Sequence, residues 1–243
     1  LLEIDRNAAC IVQMDSDTQT TTLLAPADSA NKSRREKKSF TFDKSFWSHN
    51  PEDSHYAQQE DIYRSFGEEF LDHNFDGYHT CIFAYGQTGS GKSYTMMGTQ
   101  EQPGLIPRTC EALFARIRDE PEPNTTYSVH VSYFEVYNEH VRDLLVPKSS
   151  TPYYLKIRES QTDGVYVQGL TDAAVKNYED VESLMKMGDL VCLGFQFRNI
   201  TYLLVIESYD SLNKDERYII TLTCSLHNPV KANPTLSNRR RDD

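Results

Sequence analysis

The chain has 243 residues, 38% of them hydrophobic, which is enough to bury a sizeable core as one large domain and excludes a compositionally disordered segment. Its formal net charge of −11 argues against broad, nonspecific nucleic-acid binding and opposes docking on an acidic surface unless positive charge is concentrated locally. The cysteines Cys10, Cys81, Cys110, Cys192 and Cys224 are odd in number and lack metal-ligand spacing, so free thiols in a reducing compartment are expected.

Residues 1–4 are followed by Asp5 and Arg6 rather than by an apolar core, so no signal peptide is expected and the protein is placed inside the cell. Residues 20–38 are polar and carry Lys32, Arg34, Arg35, Lys37 and Lys38 with Glu36 among them. They read as a solvated hairpin loop, with a contact to an acidic partner as the alternative. Ser39-Phe40-Thr41-Phe42-Asp43 alternates polar and aromatic side chains, as a half-buried strand with core aromatics would. Ile62, Phe66 and Phe70 recur every four residues, which predicts a helix over 60–76 stopped by Gly77.

Cys81-Ile82-Phe83-Ala84-Tyr85 is a short apolar run suited to a buried parallel strand. It leads into Gly86-Gln87-Thr88-Gly89-Ser90-Gly91-Lys92-Ser93, which fills every fixed position of G-x-x-x-x-G-K-[ST]. At average residue usage that pattern arises by chance on the order of once in a hundred chains of this length, and the strand before it lowers the odds further. The glycines let successive backbone N–H groups converge on phosphates, Lys92 reaches the outer phosphate oxygens and Ser93 offers its hydroxyl to Mg2+. A helix starting near Lys92 adds its positive end to the same anion. A nucleoside triphosphate with Mg2+ is therefore the expected ligand.

Gln102-Pro103-Gly104 breaks that helix, and Pro107 restarts one with a buried stripe of Cys110, Leu113, Phe114 and Ile117. Tyr127, Val129, Val131 and Tyr133 alternate with Ser128, His130 and Ser132, which predicts a strand continuing to Tyr137 with His130 on its polar face. Leu155-Lys156-Ile157 and Val165-Tyr166-Val167 flank Asp163-Gly164 as two short strands, and Asn177 caps a helix that carries Val181, Leu184 and Met185 and ends at Gly188. Leu203-Leu204-Val205-Ile206-Glu207 is strand-like and ends in an acid, so it could imitate a magnesium-side strand, while Arg239-Arg240-Arg241 reads as a frayed terminus. Residues 201–206 are far short of the roughly 20 needed to span a bilayer, and no membrane span is expected. Strands and helices alternating around a phosphate loop predict an α/β fold with a mostly parallel sheet and helices on both faces.

These residues resemble one family, the kinesin motor domain, over about residues 3–188. The resemblance is carried by Ser39-Phe40-Thr41-Phe42-Asp43, by residues 77–98, by Gly104-Leu105-Ile106-Pro107-Arg108, by Ser132-Tyr133-Phe134-Glu135-Val136-Tyr137-Asn138-Glu139 and by Val141-Arg142-Asp143-Leu144-Leu145. Phe46-Trp47-Ser48-His49 and Tyr94-Thr95-Met96-Met97-Gly98 are similar to the third, vesicle-transporting kinesin family. The resemblance narrows the nucleotide to ATP and implies an incomplete P-loop NTPase of kinesin type that couples ATP hydrolysis to movement on microtubules, in the cytoplasm and on the cytoskeleton. It implies that Tyr94 lies beside the adenine, that residues 98–104 cover the nucleotide pocket, and that residues 146–170 form a strand pair touching tubulin.

Where the family pattern stops is equally informative. The family's first strand, with its Arg-x-Arg-Pro segment beside the adenine, would precede Leu1. Neither the Asn-x-x-Ser-Ser-Arg-Ser-His segment nor Asp-Leu-Ala-Gly-Ser-Glu, the two nucleotide switches of the family, occurs in the chain. Two regions are therefore expected, a partial motor domain over 1–188 and a divergent tail over 189–243. No catalytic residue is assigned, and an ATP-binding module without turnover is the alternative reading. A further alternative is a fragment produced by a retained intron or frameshift, since Val191-Cys192 can be encoded by GTATGT, a splice-donor sequence, where the resemblance ends.

Overall fold

The computed structural model describes residues 9–24, 37–87, 89–119, 126–137, 139–147, 153–161, 164–192, 200–210 and 215–226. The chain divides into two compact units, Leu1–Ile62 and Tyr63–Asp243.

The first unit is built on an antiparallel three-stranded sheet of β1 (Val12–Asp15), β2 (Thr20–Leu23) and β3 (Lys38–Thr41). Residues 20–23 were expected in a loop, but four residues that include three successive β-branched threonines pair with β1 instead. The β1–β2 turn is held by Asp15, whose carboxylate accepts the backbone N–H of Asp17 at 2.9 Å and of Thr18 at 3.2 Å, and by Gln19 at φ 53°. Phe40 and Phe42 are not core, being 48% and 54% exposed, because β3 is an edge strand exposed along its whole length. Lys32, Arg34, Arg35 and Glu36 lie outside the described residues. The unit closes on α1 (Gln59–Ile62).

The second unit opens with a π turn, Tyr63–Gly67, followed by α2 (Glu68–Phe75). The turn explains why the expected four-residue stripe drifts: it inserts one residue, and burial passes to Phe70, Leu71 and Asn74 while Phe66 is only half-buried. A Cβ on Gly67 would stand 2.4 Å from the Tyr63 ring, so the turn can close only over glycine. Gly77 at φ 88° ends the helix as expected, with its N–H bonded to Asn74 O at 3.0 Å.

The main sheet has six strands in the order β4 (Thr80–Phe83), β10 (Ile200–Asp210), β11 (Asp215–Leu226), β5 (Thr126–Tyr137) and β6 (His140–Asp143), with β9 (Ala173–Val175) also paired to β5. β7 (Lys156–Ser160) and β8 (Gly164–Gln168) form a separate antiparallel pair, as their sequence predicted. The helices are α3 (Lys92–Met96), α4 (Leu105–Asp119) and α5 (Tyr178–Cys192). Asn177 caps α5 as expected: its Oδ1 accepts Asp180 N–H at 2.9 Å while Asp180 Oδ2 accepts Lys176 N–H at 2.9 Å.

Two finer features of the sheet differ from expectation. Among the described strands of this sheet only the β11–β5 pairing is parallel, because β10 and β11 are an antiparallel pair seated between β4 and β5, and such a pair brings one antiparallel strand with it. Among the described residues the helices also form a single layer. α2 packs on β4 and β10, α5 on β5 and β9, and α4 touches both α2 and α5. Register confirms the shared face: Thr80, Ile206, Ile220 and Val131 lie side by side across four strands, and Ile206 and Val131 are fully buried. On the opposite face Cys81 is exposed and Phe83 is 68% exposed, so β4 is not the buried parallel strand its apolar run suggested.

Gly188 does not end its helix; α5 continues to Cys192. The residue is glycine because a Cβ there would stand 2.3 Å from Cδ1 of the buried Tyr133 ring. Substituting Gly188→Ala is therefore expected to cost about 1–3 kcal/mol by overpacking, read as a lowered midpoint in urea denaturation with an unchanged slope.

Candidate functional site

The phosphate-loop residues are placed by the end of β4 and the start of α3, and the local backbone explains their identities. Gly89 and Gly91 sit at φ 81° and 93°, in the left-handed region that glycine enters without cost. A Cβ on Gly86 would lie 2.5 Å from Ser90 Oγ. Ser90 N–H donates to Gln87 O at 3.2 Å, closing the turn, and Gly91 is the N-cap of α3. Thr88 lies outside the described residues.

Lys92, the first residue of α3, folds back over the loop, and its Nζ donates to Gly86 O and to Gln87 O, both at 2.8 Å. An ammonium is thus held at the mouth of a loop with two left-handed glycines. Ser93 is exposed beside it and Tyr94 is 49% exposed, so the hydroxyl and ring expected to serve magnesium and adenine are both accessible. The structure brings Gly86, Gln87, Gly89, Ser90, Gly91, Lys92, Ser93 and Tyr94 into one continuous segment.

The interruption between α3 and α4 is tighter than the sequence suggested. Gly98 bridges to Pro103, Thr99 N–H donates to Gln102 O at 2.9 Å, and Gly104 N–H donates to Met97 O at 2.9 Å. A Cβ on Gly98 would meet Gln102 O at 2.1 Å, and one on Gly104 would meet Thr95 O at 2.6 Å, so this small loop needs glycine at both ends. Arg108 Nε donates to Pro103 O at 2.9 Å and ties the loop to α4. That contact was missed, although a basic residue one turn into a helix after Pro-Gly is the signal that could have found it. Cys110, in the same helix, is fully buried and its thiol is pushed up to about 12 by that burial, so it is a packing residue.

The strand-like run ending in Glu207 does lie next to the phosphate-loop strand, but in the opposite direction. Leu203 pairs with Phe83 and Ile206 with Thr80, so Glu207 falls beyond the start of β4, away from Gly86. It is not placed as a magnesium-side acid. Ser132, Glu135, Arg142 and Asp143 are structural. Glu135 and Arg142 pair across β5 and β6, Asp143 accepts the N–H groups of Leu145 and Thr171 at 2.8 and 2.7 Å, and Ser132 Oγ donates to Thr171 O at 2.9 Å. His130 is half-buried, with Nδ1 3.0 Å from Asp172. On the β7–β8 pair, Ile157 and Val165 are 59% and 71% exposed on one face.

The family model for the kinesin motor domain matches residues 2–191. Kinesin-like protein KIF1A of Rattus norvegicus is 50% identical over 190 residues, a match that covers 77% of this chain and 11% of that protein. Kinesin-like protein KIF13A of Homo sapiens is 48% identical over 188 residues, covering 77% of this chain and 10% of its own length. The chain therefore spans a small part of the curated relatives it matches. Among solved structures, KIF14 391–755 with ADP in complex with a microtubule superposes with TM-score 0.74 at 32% identity, covering 93% of this chain and 65% of that one. KIF14 391–772, a dimer in the two-heads-bound state with AMP-PNP in complex with a microtubule, gives TM-score 0.73 at 33% identity, covering 91% and 63%. With a glycine-shaped phosphate loop, its lysine in place and the fold shared, this chain belongs to the kinesin motor-domain family.

Proposed function

We propose that this chain is the nucleotide-binding part of a microtubule motor, binding ATP with Mg2+ at residues 86–94. The observation that carries this reading is the Lys92 ammonium held 2.8 Å from two carbonyls of a loop whose glycines leave its backbone open to close approach. An ammonium so placed can exchange carbonyl partners for phosphate oxygens without crossing the site. Ser93 supplies one protein oxygen to Mg2+, which usually takes one or two protein groups and completes its shell with phosphate and water. Tyr94 offers a ring to the base. Mg2+ would neutralise phosphate charge, and Lys92 and the loop N–H groups orient the phosphates.

Binding and turnover are separable. Phosphoryl transfer to water needs groups that place the nucleophile and stabilise the transition state, beyond those that hold phosphates. The sequence motifs that supply them in the family are not found in residues 189–243. A microtubule as partner is supported by the relatives solved on one, and by Ile157 and Val165 exposed on the strand pair that the family resemblance assigns to tubulin. The cytoplasm and the cytoskeleton are the corresponding location.

Labelled-ATP titration of the folded chain is expected to give saturable, Mg2+-dependent binding that Lys92→Ala weakens at least about tenfold, since hydrogen bonds to charged groups are worth roughly 1.5–3 kcal/mol. Equal affinity in the variant would reject the site. Glu207→Gln is expected to leave nucleotide affinity within about twofold, because its position lies at the far end of β4; a large loss would show that the β10 strand is seated the other way. Co-sedimentation with microtubules, with Ile157→Asp as the variant, tests the partner: retained pelleting in that variant would exclude this strand pair as the contact.

A further inference from the structure

The single tryptophan of the chain, Trp47, is built into an aromatic wall that the nucleotide site does not use. Its indole Nε1–H donates to Asp53 Oδ2 at 2.7 Å, which commits the ring's only donor and fixes its plane. The backbone is fixed as well, with Trp47 bridged to Tyr56 and its carbonyl accepting Ala57 N–H at 2.7 Å. His55 stacks on the indole at 5.6 Å and 29°, extending the wall.

Opposite stands a polar wall set by strand register. Gln13 pairs with Thr22 and Asp15 with Thr20, so these four side chains share one face of the first unit's sheet. The two walls bound a cleft of about 490 Å³ whose lining, among the described residues, includes one carboxylate and neither lysine nor arginine. The cleft is of a size that holds a ligand or a partner's side chain. Asp15 is a pre-ordered anion: one of its oxygens accepts two backbone N–H groups, and these bonds hold its carboxyl below the usual carboxylate range. Thr18 adds a side-chain hydrogen bond to the same carboxylate, and this carboxylate and the hydroxyls of Thr20 and Thr22 keep lone pairs beyond these bonds and the contacts to Thr41 and Ser39.

Acceptors on one side and aromatic faces on the other select a planar cation. An anion would meet Asp15 without compensation. A guanidinium stacks on the ring faces while its N–H fork points at carboxylate, amide and hydroxyl oxygens, whereas an ammonium is a point charge with no face to stack. We propose that this cleft is a binding site for an arginine side chain presented by a peptide segment of a partner protein.

Trp47 also makes the site readable. N-acetyl-arginine amide, its lysine counterpart and its citrulline counterpart would each be titrated into the full chain while Trp47 emission is followed. The arginine compound is expected to give a saturable change in the millimolar range suited to one stacking face and a few hydrogen bonds. The lysine compound should bind more weakly, and the uncharged citrulline isostere should give no saturable change. Asp15→Asn keeps an oxygen for the Asp17 and Thr18 amides and is expected to weaken arginine binding about tenfold. A citrulline response equal to that of arginine, no saturable response to arginine, or unchanged affinity in Asp15→Asn would each overturn the proposal. The first two use the unmodified chain and do not depend on whether the variant folds.

Discussion

The phosphate loop hangs from a ladder only four residues long. Among the described residues β4 pairs with one neighbour, β10, through Thr80 to Ile206 and Phe83 to Leu203, and this strand must hold Gly86 steady against the start of α3. Asn74 strengthens the ladder from the helix layer. Its amide donates to Tyr78 O at 3.1 Å and to Ile206 O at 2.9 Å, joining the segment that leads into β4 to the middle of β10. Since Asn74 and Ile206 are completely buried, the bond between them does not compete with water. Helix α2, strand β4 and the phosphate loop therefore respond together to whatever happens at Ile206.

That dependence sets the limit of what could be read in advance. Gly89, Gly91 and Lys92 were legible because the backbone geometry a phosphate loop needs restricts residue type locally. The cap at Asn177, the stop at Gly77 and the β7–β8 pair were legible for the same reason: each is decided within a few residues. Phe40, Phe42 and Phe83 misled, since an aromatic on an alternating strand says which way it points and not whether anything covers it. Gly188 was misread as a stop because a glycine that ends a helix and one that admits a ring look alike in sequence, and only Tyr133, 55 positions earlier, tells them apart.

Strand direction is the least local property of all. Residues 203–207 announce a strand, but nothing within five residues says whether it runs with β4 or against it. Direction decides chemistry here, because a strand running with β4 would deliver its final residue to the phosphate-loop edge. The antiparallel pair delivers the beginning of β10 and the end of β11 to that edge instead: Leu203 and Thr223 are level with Phe83, and Cys224, Ser225 and Leu226 follow on β11. The positions at that edge thus bring hydroxyl, thiol and apolar residue types, and no carboxylate comes from this part of β11.

The same geometry separates holding a nucleotide from cycling it. Lys92 and the glycine turns are contributed by β4, the loop and α3, so the affinity proposed for them would need β10 only as a brace. Turnover asks for more, since groups must meet the terminal phosphate from outside the loop, and among the described residues of this sheet the positions level with the end of β4 are the strand ends beside Phe83. An oxygen from a serine or threonine can help hold a metal or orient water, but it carries no charge to offset the metal and cannot act as a base near neutral pH. The β10–β11 pair therefore supports the loop mechanically while contributing little to the electrostatics of phosphate transfer. Under the proposed function, binding strength and hydrolysis rate would accordingly be set by different parts of the same sheet.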